Sequence, residues 1–357
     1  MCYNDKMKKS IATPRNYAVT DANLDEFDFT ARELMRVAID RGWKIEYSEA
    51  MPDNSMSGIA HCKKNGRELI FRTDHTALTP IYAYAASENK NLSAALFEKN
   101  HVPTPLSITI PTNISDDELK VVLCDFNSLV VKPLNTNHGK GITIGVKGTA
   151  NTREAIEFAK KATLSKRFVI LQEQVTNAKE YRFLVLNGKV IAVAHRRPPF
   201  VTGDGVSTVD TLIDVLNSDP RRSTGHKAVL TQIRKTDVIN ENGEDFLKVV
   251  PAIGVCIDIL KTSNLSRGGV AEDFTDTASN TLKQIAVLAA KSCFLGLAGV
   301  DIMTSDIANG SRSNSYVIEV NSAPGLRMHE YPSIGTPRNV IGLIFDVLEE
   351  RASPIED

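Results

Sequence analysis

The sequence predicts a mixed α/β protein of two to three domains. Three observations carry this: hairpin signals with glycine-bearing turns, amphipathic helical windows between them, and a chain longer than one domain. At 357 residues and roughly 150 residues per domain, the chain can bury a core without disulfides. Apolar residues at 42% and charged residues at 24% are near globular averages, which excludes collagen-like, coiled-coil and disordered classes. The 42 Lys+Arg against 43 Asp+Glu leave a formal charge of -1, so no global basic field collects nucleic acid or anionic lipid. The single tryptophan gives little surface for base stacking. Neither nucleic acid nor membrane is expected as a partner. Cys2, Cys62, Cys124, Cys256 and Cys293 are an odd number at long intervals with no C-x-x-C pair, the usage of a reduced, cytoplasmic protein. The N-terminus lacks the apolar stretch of a secretory signal. The most apolar window, 285–303, is interrupted by Lys291, Gly296 and Gly299 and reaches Asp301, as in a core helix feeding a strand and not a membrane span.

Taken in order, residues 26–41 place Phe27, Leu34, Val37 and Ala38 at helical spacing, and Gly42 is a stop signal. A short strand, WKIEY, follows, and an Asn65-Gly66 turn separates two apolar runs. These make a small leading α/β domain over 1–86. Residues 89–105 read as a helix ended by Pro103 and Pro105, so a second unit is expected over 87–175. In it, 127–147 form a hairpin with Gly139 and Gly141 at its tip, 150–164 an amphipathic helix with Ala155, Ile156 and Ala159 inward, and 167–175 a buried strand. A third unit, 176–357, opens on Asn187-Gly188 between two apolar runs, a type I′ hairpin. In its ideal register Glu180, Arg182 and His195 share one face, and Arg196 takes the other unless a bulge intervenes. A capped helix over 207–217 precedes a polar, turn-rich excursion through 280. A helix near 278–294, strands over 299–304 and 315–321 and a helix over 337–350 close the chain.

Nucleotide fingerprints of the common kinds are missing: HGKGITIG lacks G-x-G-x-x-G spacing, and no G-x-x-x-x-G-K-[ST] occurs. The informative set is Asp301 on GVDIMT with Glu319 and Asn321 on YVIEVNSAPG. Alternation puts Glu319 and Asn321 on one face, and an adjacent antiparallel strand brings Asp301 beside them. Two carboxylates close together repel unless protonated, salt-bridged or bound to a cation, and Mg²⁺ takes one or two carboxylates plus phosphate oxygens. Pairing with Arg or Lys at the sheet end is the alternative. A second set is cationic: Lys90, Lys132, Lys140, Arg182 and Arg196. Lys132 lies inside the run LVVKP, where an ammonium wants an anionic partner, and the glycine-rich tip can offer N–H groups to the same phosphates. In LQEQVTNAKEYR, a strand ending at Glu173 runs through a polar hinge to Glu180, a pattern suited to an adenine edge and ribose hydroxyls.

In their order, Lys90 at a helix start, VVKP, the glycine-rich hairpin, the Glu-x-Val hinge, R-x-x-V-x-N-G-K, GVDI and EVNSAPG, these elements resemble the ATP-grasp superfamily of carboxylate-amine ligases. Over about 57–350 the chain is most similar to the ATP-grasp region of cyanophycin synthetases, and next to that of bifunctional glutathione synthetases. The shared stretches are NHGKG, RRPPFVTGDGVSTVDTLIDVLNSDPRR, GHKAVL, SNLSRGG and EVNSAPGLRMHEYPS. The resemblance implies an α/β (α+β) ATP-grasp fold: a small subdomain over 87–175 and a large one over 176–357 clamping ATP. A pre-ATP-grasp-like domain would precede them. It makes Lys90 and Lys132 phosphate ligands, with His138, Gly139, Lys140 and Gly141 closing over the β- and γ-phosphates. Glu173 and Val175 would meet adenine and Glu180 the ribose. Arg182 and Arg196 would face the transferred phosphoryl or the acyl phosphate, and Asp301, Glu319 and Asn321 would hold Mg²⁺, two ions, or Mn²⁺ in its place. Asn264, Ser266, Gly268, Gly269 and Arg327 would line the substrate side. Carboxylate and amine substrates, amino acids or short peptides, are implied, and a homo-oligomer is a family expectation. The Mur-ligase-like half of cyanophycin synthetases does not follow before Asp357, so a free-standing ligase is expected. The alternatives are a ligase of the glutathione-synthetase kind and a silent ATP-binding module. On this reading Arg182→Ala impairs phosphoryl transfer with little loss of folding.

Overall fold

The structure, a computed structural model, describes residues 15–49, 58–72, 75–134, 140–163, 166–224 and 229–355. Contacts divide the chain into two units, each assembled from separated stretches. One comprises Thr79–Val190 and Asp276–Ser322, the other Met1–Leu78, Ile191–Thr275 and Ala323–Asp357. The boundaries expected from the sequence run in chain order, near 86 and 175.

In the unit built from Thr79–Val190 and Asp276–Ser322, four antiparallel strands lie in the order Ser107–Pro111, Phe168–Glu173, Leu129–Pro133, Thr143–Val146. Helices Asp116–Leu123 and Thr149–Lys161 cover one face, where Leu119 and Ile156 pack with Leu129, Val131, Val169 and Leu171. Each such side chain stabilises the layer by about 1.5–3 kcal/mol. The first helix starts at a capping box, Ser115 with Glu118, which satisfies otherwise orphaned N–H groups. Strand alternation sends Ser107, Thr109, Lys132, Ile170 and Gln172 to the opposite face.

The same unit holds three antiparallel strands, Lys179–Leu186, Leu297–Thr304 and Ser315–Asn321, with Leu297–Thr304 in the middle. The middle strand is buried almost throughout, and helix Asn280–Ser292, capped by the Ser279 side chain, packs against all three. Asn187 and Gly188 have φ of 46° and 77°, the left-handed pair that a type I′ turn requires. The helix expected from 89 is present as Lys90–Lys99, and a further helix, Ile81–Glu88, that was not expected comes before it. Asn89 breaks the run by capping the second helix, its side chain accepting from the N–H groups of Asn91 and Leu92.

In the other unit, strands Arg15–Val19, Lys44–Glu49, Ile59–Lys64, Arg67–Phe71 and Ser353–Pro354 form an antiparallel sheet in that order. Asn65 and Gly66 make the expected left-handed turn, at φ 51° and 71°. Helix Phe29–Asp40, capped by Asp28, packs against Val340–Glu350. The capped helix expected over 207–217 is Val209–Asn217, and the excursion after it is not merely turns. Helices Val209–Asn217 and Lys235–Asn242 close over a small core of Val201, Val209, Ile213, Ile233, Val238 and Ile259.

Candidate active site

The face of the four-stranded sheet that carries Lys132 borders a cleft of about 700 Å³. Its walls include Lys90, Ser107, Thr109, Lys132, Ile170 and Gln172, and its other side is strand residues Glu319 and Asn321. Lys90 occupies the first helical position after the Asn89 cap, and Val317 N–H donates to the Pro103 carbonyl at 2.8 Å. Lys132 is 6% exposed and its ammonium donates to Gln172 Oε1 at 2.9 Å. Burial, with the Lys90 charge adding to it, pushes its pKa down to about 8, against the attraction of Glu319. A buried cation whose direct acceptor among the described residues is a neutral amide is a cation suited to an external anion.

Register brings the carboxylates together as alternation predicts. Asp301 is paired across one ladder with Glu319 and across the other with Arg182. Arg182 grips Asp301 with both prongs: Nε donates to Oδ1, and Nη2 donates to Oδ2 at 2.7 Å. Both are almost fully buried. Burial alone would lower the Arg182 pKa, but Asp301, with Glu319 and Glu180, holds it above its ordinary value. The Asn321 amide nitrogen lies 3.3 Å from Glu319 Oε1 and 3.4 Å from the Gly299 carbonyl, so Oδ1 is the Asn321 atom left for a cation. Among the described residues no cluster of three or more His, Cys, Asp and Glu is gathered for a metal. Glu319 and Asn321 on the cleft wall fit Mg²⁺ in the manner of one carboxylate, one amide oxygen and phosphate oxygens.

Comparisons with known proteins identify the family of the chain. Residues 98–204 match the prokaryotic glutathione synthetase ATP-grasp domain and residues 258–344 the RimK-like ATP-grasp domain. A bifunctional glutathione synthetase from Pasteurella multocida superposes with a TM-score of 0.73 at 25% identity, over 92% of this chain and 45% of that one. The chain has the ATP-grasp fold. In sequence it is 38% identical to a cyanophycin synthetase of Synechocystis sp. over 273 residues, 74% of this chain and 31% of that protein. It is 31% identical to a bifunctional glutathione biosynthesis protein of Enterococcus faecalis over 351 residues, 96% of this chain and 44% of that one. The chain thus spans less than half the length of these relatives, and it is related to the ATP-grasp domains of both kinds.

In this ATP-grasp chain the expected residues are distributed as follows. Lys90, Lys132, Glu319 and Asn321 share the cleft. Asp301 lies across the ladder from Glu319, 1% exposed and held by Arg182. That pairing corrects the expectation that Arg182 can be removed with little loss of folding, because an uncompensated buried carboxylate would remain. Glu173 falls on the alternate, helix-covered face of its strand at an exposed end, while Gln172 faces Lys132. Val175 is in the connection that follows, and Glu180, on the strand with Arg182, is opposite Met303. Lys140 is exposed. At Gly141, with φ +75°, a Cβ would come within 2.5 Å of Ala162 Cβ, so close packing alone requires glycine there. His138 and Gly139 lie outside the described residues.

The other unit contains Arg196, on strand Lys189–Arg197 opposite Ala271, and the substrate-side set. Gly269 and Arg327 line one small pocket with Thr231, Tyr331 and Ser333, and burial lowers the Arg327 pKa. Asn264 and Ser266 are exposed around the short 3-10 turn Leu265–Arg267, which Gly268 ends at φ +91°. Sequence reasoning missed Gln172 and Ser107. The available signal was the parity of Ile170 and Gln172 in a strand whose Val169 and Leu171 are core.

Proposed function

We propose that the chain is an ATP-dependent, ADP-forming ligase that activates a carboxylate as its acyl phosphate and joins it to an amine of an amino acid or short peptide. The observation that carries the reading is the cleft in which Lys90 and Lys132 face Glu319 and Asn321. Two cations opposite a carboxylate and an amide form a receptor for a phosphate chain with its metal. In the reaction, a substrate carboxylate oxygen attacks the γ-phosphorus and ADP leaves. The amine then attacks the acyl carbon, phosphate leaves, and the amine nitrogen gives up a proton. Lys90 and Lys132 bind and orient phosphate oxygens, so positioning and electrostatics supply most of the acceleration. Glu319 and Asn321 would hold Mg²⁺, two ions if Asp301 also contributes, and the metal would neutralise charge on the transferred phosphoryl. Arg182 acts through Asp301, fixing its carboxylate, and Arg196 is assigned to the acyl phosphate. Glu173, Val175 and Glu180 are assigned to the nucleoside. Lys140 and Gly141, with His138 and Gly139, are assigned to covering the phosphates, which excludes water from a hydrolysable intermediate. Arg327 and Gly269, with Asn264, Ser266 and Gly268, are assigned to substrate.

A ligase of the glutathione-synthetase kind is the second reading, favoured by similarity to the Enterococcus faecalis protein over 96% of the chain. Both are tested by following ADP and inorganic phosphate with Mg²⁺ while pools of amino acids and short peptides are added. ADP release that needs a carboxylate and an amine together, with a product heavier by their sum less water, is the expected result, and the product separates the readings. No binding of ATP would end both.

A further inference from the structure

The contacts of Lys132 continue past Gln172. The ammonium donates to Gln172 Oε1 at 2.9 Å, Gln172 Nε2 donates to Ser107 Oγ at 2.8 Å, and Ser107 Oγ donates to the Pro105 carbonyl at 3.1 Å. We infer that Gln172, backed by Ser107, is a positioning residue that fixes the Lys132 ammonium for the phosphate oxygens of a nucleoside triphosphate without neutralising it. The inference rests on the nucleotide reading above and extends it to residues with no assigned role.

The polarity of the chain is determined at every link. An amide NH₂ cannot face an ammonium, so Oε1 must point to Lys132 and Nε2 away from it. Ser107 accepts from Nε2 and therefore directs its own proton onward, to a carbonyl that can only accept. Strand geometry supplies the anchor: Ser107 lies directly across from Gln172, and Lys132 across from Ile170, one step diagonal on the same face. Lys132 and Gln172 are 6% and 8% exposed, so their link is shielded from competing water, while Ser107 at the strand start is exposed. Lysine is flexible and loses much rotamer freedom when ordered. An acceptor that orders it beforehand removes that loss from the binding step. The choice of a neutral acceptor matters as much as its position. A carboxylate at 172 would order the ammonium equally well but cancel its charge, the situation seen between Asp301 and Arg182. With an amide the full positive charge stays, along with two further N–H donors for a ligand.

The test is calorimetric titration of the full chain with ATP, and separately with adenosine, for the unaltered protein, Gln172→Leu, Gln172→Glu and Ser107→Ala. Loss of one hydrogen bond predicts roughly tenfold weaker ATP binding for Gln172→Leu. Gln172→Glu should lose more, because its carboxylate takes the charge, and Ser107→Ala about threefold, because the amide is freed to rotate. Adenosine affinity should stay level in all three, a separation that general loosening of the cleft would not produce. If Gln172→Leu does not fold, Gln172→Glu and Ser107→Ala carry the same prediction. Gln172→Glu binding ATP as well as the unaltered protein, or ATP and adenosine affinities falling in parallel, would overturn the inference alone. An unaltered protein that binds no ATP would overturn the nucleotide reading and this inference with it.

Discussion

Lys132 and Arg182 are both 6% exposed and sit on strands of the same unit, yet their surroundings treat their charges in opposite ways. Arg182 is neutralised by a two-pronged carboxylate and its pKa is held up. Lys132 is oriented by an amide, repelled by Lys90, and its pKa is pushed down to about 8. On the proposed function, the difference separates a buried charge already paired within the fold from one left for a ligand to pair. A paired charge stabilises a strand arrangement already made, whereas an uncancelled one raises the energy of the free protein in a way that an arriving anion relieves.

The largest expected effect breaks the ligand side of the contrast. Glu319→Gln should lower turnover by roughly a thousandfold, about 4 kcal/mol of transition-state stabilisation, with the fold intact by circular dichroism; turnover within tenfold of normal would remove Glu319 from the metal site. Next is the scaffold side. Arg182→Ala should cost about 3–5 kcal/mol of stability by leaving Asp301 buried and alone, measured by urea unfolding. Combining Arg182→Met with Asp301→Leu should recover much of that loss, and a double variant no better than the single would mean the pair is not the stabilising unit.

Acidity sharpens the comparison through Lys132. Its folded pKa, about 8, is below the unfolded value of about 10.4. Below pH 8 both states hold the proton and the burial penalty, on the order of 3 kcal/mol, is fully present. Between about 8 and 10.4 the unfolded chain binds a proton that the folded one has shed, so this group makes stability rise with pH. ATP affinity should move the other way, falling as pH rises through about 8. Titrations at pH 7 and 9 check the sign, and Lys132→Met should abolish this contribution to both trends.

Much of this was legible in the sequence because it depends on local rules. Asn65-Gly66 and Asn187-Gly188 specify their turns by φ alone, and the two-residue period put Glu319 and Asn321 on one face. What was not legible depends on register between distant strands. Nothing local says that Ser107 lies across from Gln172, or that Arg182 flanks Asp301 on the side away from Glu319. The helix Lys235–Asn242 escaped notice because Val238 is its one buried residue, too little to show a periodic face. The approach of Ala162 to Gly141, a packing reason for glycine that stands beside its expected place over the phosphates, was not legible either. The two units draw on separated stretches, so boundaries read along the chain could not anticipate that division.

The most direct test of the account is Lys132→Met, assayed for urea stability and for ATP affinity on the same preparation. The account predicts stability at pH 7 equal to or above that of the unaltered protein, since an uncancelled buried charge is removed, together with ATP affinity at least tenfold weaker. A marked loss of stability with ATP binding unchanged would contradict it, and would make Lys132 part of the scaffold like Arg182.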